Sequence, residues 1–447
     1  MDLDFFKELL SFDSTSGKER KVAEWLSETL PGMFPEANRP VLRVDEVGDG
    51  TLNLLLTWGS PRIVFCSHLD TVPPYIPPTF PDRWPVAAGH DGETDSFASL
   101  GMTARIPSED GRPSCHSEEG GPSCHYEEGG PSCHSEEGGP SCHSEEGEAR
   151  RRNLSSSDGL TIRGRGSCDA KGQVFAMVTA CQRLAEEGKT GFGLLLLAGE
   201  ETGSWGAKAF AKTDFRALYL VVGEPTDNCM VSASKGTKSF DLKFTGEAFH
   251  SGYPQYGVSA VDLFVNFVNK LRDKDFGLDP VLGETTWNIG LVHSDNPQNI
   301  LSPELACRIY FRTTFVSDEA VCKWMEEAPT LLRDGRAEPA MTETASTVRE
   351  ATPDATSAVI PGLTGNLTVT PRGGDTPATY WTVEGLPSKP VAFGSDAPHL
   401  KNFTHKAICG PGSITVAHRD DEHVLIAELE KAVEQYLVLY STAQGTE

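Results

Sequence analysis

The sequence predicts an α/β protein with a second, smaller α+β domain inserted into the first. Three observations carry this. Between residues 160 and 226 strand-like runs alternate with helical ones and glycines sit at the strand ends, the pattern of a sheet covered by helices. From Thr237 the rhythm changes to the βαββαβ order of a ferredoxin-like unit. At 447 residues the chain also exceeds what one hydrophobic core usually serves. The boundaries read 1–235 for the first part of the larger domain, 236–348 for the inserted domain and 349–447 for the returning part.

Taken in order, the N-terminal stretch is read as helical. Ser16 and Glu19 are placed as a capping box ahead of Val22, Trp25, Leu26 and Leu30 at helical spacing. Strands are expected over 51–58 and 62–67, the second ending in SHLDTVPP. A low-complexity insertion follows over about 81–157. Within it, residues 111–146 are four copies of a nine-residue unit rich in Gly, Pro, Ser and Glu, which offers too little apolar surface to offset the entropy of ordering it. Each copy carries a Cys-His pair able to bind a soft metal, although adjacent ligands in a flexible loop lack fixed geometry, and an inert repeat expansion is favoured.

After the insertion come a strand at 160–163, the turn GRGSCDAKG and a helix over 173–187. The run FGLLLL, read as a strand buried on both faces, delivers Glu200 and Glu201. A helix at 207–212 and a strand at 217–222 ending in GEPT complete this part. The inserted unit reads as strand 237–249, helix 258–271, strands 286–293 and 305–314, helix 318–333 and a final strand near 340–348. The larger domain resumes near Asn366 and ends in a helix over 422–440.

With 39 basic and 64 acidic residues the net charge is −25, which argues against nucleic-acid or anionic-membrane partners. No apolar run reaches the length of a membrane span, and the N-terminus is acidic where a secretion signal would be basic, so a cytoplasmic protein is expected. Outside the repeat the cysteines form no CxxC pair, which fits reduced thiols. Gly164-Arg165-Gly166 lacks the third glycine of a dinucleotide fingerprint, and Gly188-Lys189-Thr190 lacks the upstream glycine of a phosphate-binding loop.

What remains is a spaced set of metal-ligand types at strand ends and turns: His68, Asp70, Asp169, Glu200, Glu201, Glu224 and His418. Imidazole and carboxylate are the ligands of hydrolytic zinc. Ligands of open α/β sheets collect beyond the carboxyl ends of the strands, where one of two adjacent glutamates can hold a cation while the other handles a proton.

The segments SHLDTVPP, GRGSCDAKG, Gly199-Glu200-Glu201, GEPT and GPGSITVAH together resemble the co-catalytic zinc hydrolases. These include acetylornithine deacetylase, succinyl-diaminopimelate desuccinylase, the aminoacylases and the glutamate carboxypeptidases. GEPT and GPGSITVAH are most similar to acetylornithine deacetylase. The resemblance implies a catalytic domain with a mixed central sheet flanked by helices, a ferredoxin-like lid that also dimerises the chain, and two zinc ions replaceable by cobalt or manganese. It makes Asp169 the bridging ligand, places His68 and Glu224 at one metal and Glu201 and His418 at the other, and has Asp70 orient the His68 imidazole. Glu200 becomes the general base. His250, in FHSGYP, would reach a partner subunit's site and hold the substrate carbonyl. Asn299 and Arg312 would engage the substrate carboxylate, with Arg308 a competing choice on the same strand face, and Ser395 would line the pocket. The implied activity is hydrolysis of an N-acyl amino acid, with dipeptidase or carboxypeptidase action as the alternative. A non-catalytic metal- or partner-binding role is opposed by the intact set of ligands and base.

Overall fold

The computed structural model describes residues 1–81, 160–334 and 365–445. The repeat at 111–146 and the strand expected near 340–348 lie outside them.

Two helices open the chain, α1 (Leu3–Ser11) and α2 (Arg20–Thr29). The Asp2 carboxylate caps α1 by accepting from the Phe5 amide at 3.1 Å. The capping box expected at Ser16 and Glu19 is not formed. The Ser16 hydroxyl instead donates to Asp70 Oδ2 at 2.7 Å, and Glu19 accepts the Gly17 amide at 2.6 Å. A buried carboxylate distant in sequence takes the hydroxyl that a local cap would have used.

Next come β1 (Val41–Val47), β2 (Thr51–Trp58), β3 (Ile63–His68), β4 (Thr161–Arg163), α3 (Lys171–Glu186), β5 (Phe192–Leu197), α4 (Trp205–Phe210), β6 (Ala217–Val222) and β7 (Met230–Ser234). The inserted unit contains β8 (Gly236–Thr245), α5 (Ala260–Arg272), β9 (Thr286–His293), β10 (Glu304–Thr313), α6 (Asp318–Asp334) and β11 (Asn366–Gly373). The chain closes with β12 (Ala378–Thr379), β13 (Ser388–Val391), β14 (Phe403–Ile408), β15 (His423–Leu425) and α7 (Ile426–Gly445).

The main sheet has the order β1-β2-β5-β3-β6-β14. Strands β5, β3, β6 and β14 are parallel to one another, whereas β2 runs antiparallel to β5 and β1 to β2, so the sheet is mixed as expected. Every residue of β3 and β5 is buried, which explains the leucine run of β5 and the apolar start of β3. On one face Phe65 meets Tyr436 of α7 at 5.5 Å between ring centroids. Phe6 of α1 stacks on Phe175 of α3 at 4.4 Å. A separate buried cluster unites Leu195, Leu220, Phe210, Phe403 and Ile408. Helix α7 starts later than residue 422 because 423–425 pair with β4 as a two-stranded ribbon.

The inserted unit is a four-stranded antiparallel sheet, β9-β10-β8-β11, with the strand order of a ferredoxin-like fold. Its core joins Phe240, Phe244, Ile309 and Phe311 of the sheet to Phe267 of α5 and Trp324 of α6. The fourth position of this sheet is filled by Asn366–Gly373, a segment read from the sequence as the start of the returning catalytic part. Alternation alone gives no register, and pairing with β8 decides the outcome. Among the described residues no helix is long and apolar enough to cross a membrane.

Candidate active site

Strands β5, β3 and β6 are adjacent and parallel, so their carboxyl ends open on one edge of the sheet. That edge carries the chemistry: His68 is the last residue of β3, Glu200 and Glu201 follow β5, and Glu224 follows β6. Asp169 enters from the turn before α3 and His418 from the loop after β14.

The Asp169 carboxylate stands between two imidazoles. Its Oδ1 lies 3.1 Å from His68 Nε2 and its Oδ2 3.3 Å from His418 Nε2. His418 Nε2 also lies 3.0 Å from Glu201 Oε1. One ligand atom each from His68, Asp169 and Glu201 falls within 4.8 Å of the others. Glu224 is buried, and its Oε1 has no hydrogen-bond partner among the described residues. A buried carboxylate oxygen without a donor is costly unless a cation satisfies it. The donor set, two imidazoles and three carboxylates with one shared between the imidazoles, fits divalent metal.

Electrostatics agree. Burial opposes charge on His68, yet its contacts with Asp169 and Asp70 hold its pKa well above the usual value. Contacts with Asp169 and Glu201 push His418 up to about 10. The surrounding carboxylates thus favour positive charge at this spot. Burial, reinforced by neighbouring acids, raises Glu200 and Glu224 well above the ordinary carboxylate range. Burial also pushes Asp396, just past Ser395, up to about 6.

Asp70 does more than the sequence implies. The closer acceptor for His68 Nδ1 is the Asp70 carbonyl oxygen at 2.9 Å, with carboxylate Oδ1 at 3.5 Å. The fully buried carboxylate spends its lone pairs on the Glu200 amide at 3.0 Å, the Glu201 amide at 3.2 Å and the Ser16 hydroxyl. It therefore fixes the backbone of the glutamate pair as well as one imidazole. Gly199, at φ +67°, makes the bend that turns the pair over the strand end.

A cavity of about 420 Å³ lies over this edge, lined by Asp169, Glu200, Glu201, Glu224, Ser395 and His418 and, from the inserted unit, Arg312. The Glu200 carboxylate makes no hydrogen bond among the described residues, so it is free to take a proton. Arg312 forms no ion pair among them, and its guanidinium sits 5.0 Å from the Tyr310 ring centroid. Arg308, the competing choice, is held by Asp241 at 2.6 Å and is not part of the lining. His250 and Asn299 are exposed and outside the cavity of their own chain; the Ser251 amide donates to the Asn299 carbonyl, which holds their two loops together.

Sequence reasoning did not single out Lys208, Tyr310, Asp375 and His399, which also line the cavity. Nor did it single out Glu422, a buried acid behind the Asp169 turn. These carry no motif, and only the folded chain brings them to the cleft.

A model of peptidase family M20/M25/M40 matches residues 145–441. The chain belongs to that family. As an M20 peptidase it is a hydrolase of amide bonds. It is 27% identical to a probable carboxypeptidase of Aspergillus terreus over 99% of this chain and 86% of that one. It is 32% identical to a probable carboxypeptidase of Aspergillus flavus over 62% of this chain and 65% of the other. Among solved structures, a tripeptidase of Staphylococcus aureus aligns over 99% of this chain and 97% of its own, with TM-score 0.64 and 17% identity. An M20 metallo-carboxypeptidase of Sulfolobus solfataricus covers 99% of this chain and all of its own, with TM-score 0.57 and 13% identity. Bacillus subtilis YxeP, described as a dinuclear metal-binding M20 peptidase, aligns with TM-score 0.55 at 8% identity. At these identities the structural likenesses speak to the fold.

Proposed function

We propose that this M20 peptidase is a two-metal hydrolase that releases a C-terminal amino acid by cutting the amide bond before it. One observation carries the reading: a Glu200 carboxylate and an Arg312 guanidinium, neither paired among the described residues, face one cavity around the Asp169-bridged imidazoles. Asp169, His68 and Glu224 would hold one cation and Asp169, Glu201 and His418 the other. Bound there, zinc, cobalt or manganese acidifies water and polarises the substrate carbonyl.

The chain's own groups do the rest. Arg312 presents a planar fork to the substrate's free carboxylate and so places the scissile bond over Glu200. Glu200, its pKa raised by burial, takes a proton from the attacking water and returns it to the leaving amine. Carboxypeptidase action on a dipeptide and deacylation of an N-acyl amino acid differ only in what precedes the bond. The names of the Aspergillus relatives favour the former, and the motifs resembling acetylornithine deacetylase favour the latter.

Two chains would pair through the lid, a reading supported by the exposed Val261 and Val265 of α5 and Leu291 and Val292 of β9. His250 and Asn299 would then serve the partner's cavity. Sedimentation at micromolar concentration tests this, and a monomer that retains full activity contradicts it.

The substrate test is a panel of N-acetyl amino acids and dipeptides, each with a free or an amidated C-terminus, assayed with added zinc, cobalt or manganese. Hydrolysis of the free acids alone is expected. Equal hydrolysis of the amides removes Arg312 from its role, and hydrolysis of none removes the reading.

A further inference from the structure

We propose that Glu422 is a positioning residue for the metal-holding set, fixing the Asp169 turn and tying it to the segments that carry His68 and His418. The inference rests on the metal reading above. Glu422 is buried, and its Oε1 accepts three amides of one turn: those of Gly166 at 2.8 Å, Cys168 at 3.1 Å and Asp169 at 3.1 Å. Its Oε2 accepts from Arg165 Nη1 at 2.5 Å. Convergent amides of this kind form a concavity that suits an anion, and here the chain supplies the anion itself.

Arg165 extends the tie. Buried as well, it donates from Nη1 to the Arg419 carbonyl at 3.3 Å and from Nε to the Pro74 carbonyl at 3.1 Å. Pro74 lies in the stretch that leaves His68, and Arg419 follows His418 directly. The Glu422 carbonyl accepts the Gly164 amide at 3.0 Å, and His423 pairs with Arg163 in the β4–β15 ribbon. Three segments that each bring a ligand are thus joined behind the site by one carboxylate and one guanidinium.

Such a device is expensive. Desolvating an ion pair is often unfavourable against an apolar replacement, so pairing alone is a weak reason to bury Glu422. What it provides is placement. Asp169 can offer one oxygen to each imidazole only if its backbone is held to a fraction of an ångström, and the amide of Asp169 itself is one of the three that Glu422 grips. Nothing about Glu422 touches the cavity, so it acts through Asp169.

The test compares wild type, Glu422→Gln and Arg165→Lys. In Glu422→Gln an amide NH2 replaces one oxygen, so either the three amides or Arg165 lose their acceptor. In Arg165→Lys the charge stays, but one ammonium cannot reach Pro74, Arg419 and Glu422 in the same way. Zinc affinity is measured by competition with a chromophoric chelator, the visible absorption of the cobalt-loaded protein reports ligand geometry, and circular dichroism reports folding. Glu422→Gln is expected to weaken zinc binding by about tenfold or more and to change the cobalt spectrum, with Arg165→Lys showing a smaller loss in the same direction. Folded Glu422→Gln with wild-type affinity and spectrum overturns the role of Glu422. If that variant does not fold, Arg165→Lys with unchanged affinity and spectrum overturns it. A wild-type chain that binds neither zinc nor cobalt overturns instead the metal reading beneath it.

Discussion

Replacing Asp70 by asparagine keeps the shape of a fully buried side chain and removes its charge, in a place where its neighbours are donors. Oδ1 faces the Glu200 amide at 3.0 Å and His68 Nδ1 at 3.5 Å, while Oδ2 faces the Ser16 hydroxyl at 2.7 Å and the Glu201 amide at 3.2 Å. The new NH2 must occupy one of these positions, and either way a backbone amide of the glutamate pair loses its acceptor. An unsatisfied buried amide costs roughly 1–3 kcal/mol, and weakening the remaining charge-assisted bonds adds about 1 kcal/mol. We expect a loss of roughly 2–4 kcal/mol in urea unfolding of the metal-free protein. Burial works against the ionised form, but contacts with His68 and Ser16 and the Glu200 amide hold the Asp70 pKa below its usual value. Its contribution is therefore present above the ordinary carboxylate pKa and lost as pH falls through the lowered one. The gap between wild type and Asp70→Asn should narrow on acidification. Turnover should fall by about tenfold to a hundredfold, because both His68 and Glu200 are displaced. A variant within about 0.5 kcal/mol of wild type at neutral pH, with full turnover, refutes the reasoning.

Three further outcomes are expected. Gly199→Ala would set a Cβ 1.7 Å from Trp205 Nε1 at a φ of +67°, so thermal denaturation should show a loss of roughly 2–5 kcal/mol; an unchanged melting temperature would contradict the bend. Burial lowers Lys171 to about 7, its ammonium donating to the Phe12 carbonyl at 2.8 Å. The unfolded chain holds that proton to the ordinary lysine value of 10.5, so wild-type stability relative to Lys171→Met should rise between about pH 7 and about pH 10.5, and parallel urea profiles would count against it. Arg312→Met should raise KM for free-acid substrates by about tenfold or more, whereas Arg308→Met, which breaks only the pair with Asp241, should leave KM near wild type.

The fold class and the ligand types were legible because they rest on local signals. The leucine run of β5 marked a strand buried on both faces, and the acids and histidines stood where the strands or their neighbouring turns ended. What depended on distant pairing was not. Strand β1 escaped notice because an edge strand with Arg43, Asp45 and Glu46 in its span carries little apolar pattern. The fourth lid strand was sought near 340–348, but pairing with β8 over Asn366–Gly373 is a matter of register that composition does not encode. Ser16 looked like a cap because serine commonly is one, yet Asp70 competes for its hydroxyl across 54 residues. Glu422 gave no signal for the same reason: its partners lie more than 250 positions earlier in the chain.

Glu200 faces the cavity, and its carboxylate makes no hydrogen bond among the described residues. Purified Glu200→Gln, loaded with zinc and assayed on the best substrate of the panel, should hold as much metal as wild type while kcat falls by about a hundredfold to ten-thousandfold. Near-normal turnover with full metal content would contradict the assignment of Glu200 as the proton carrier.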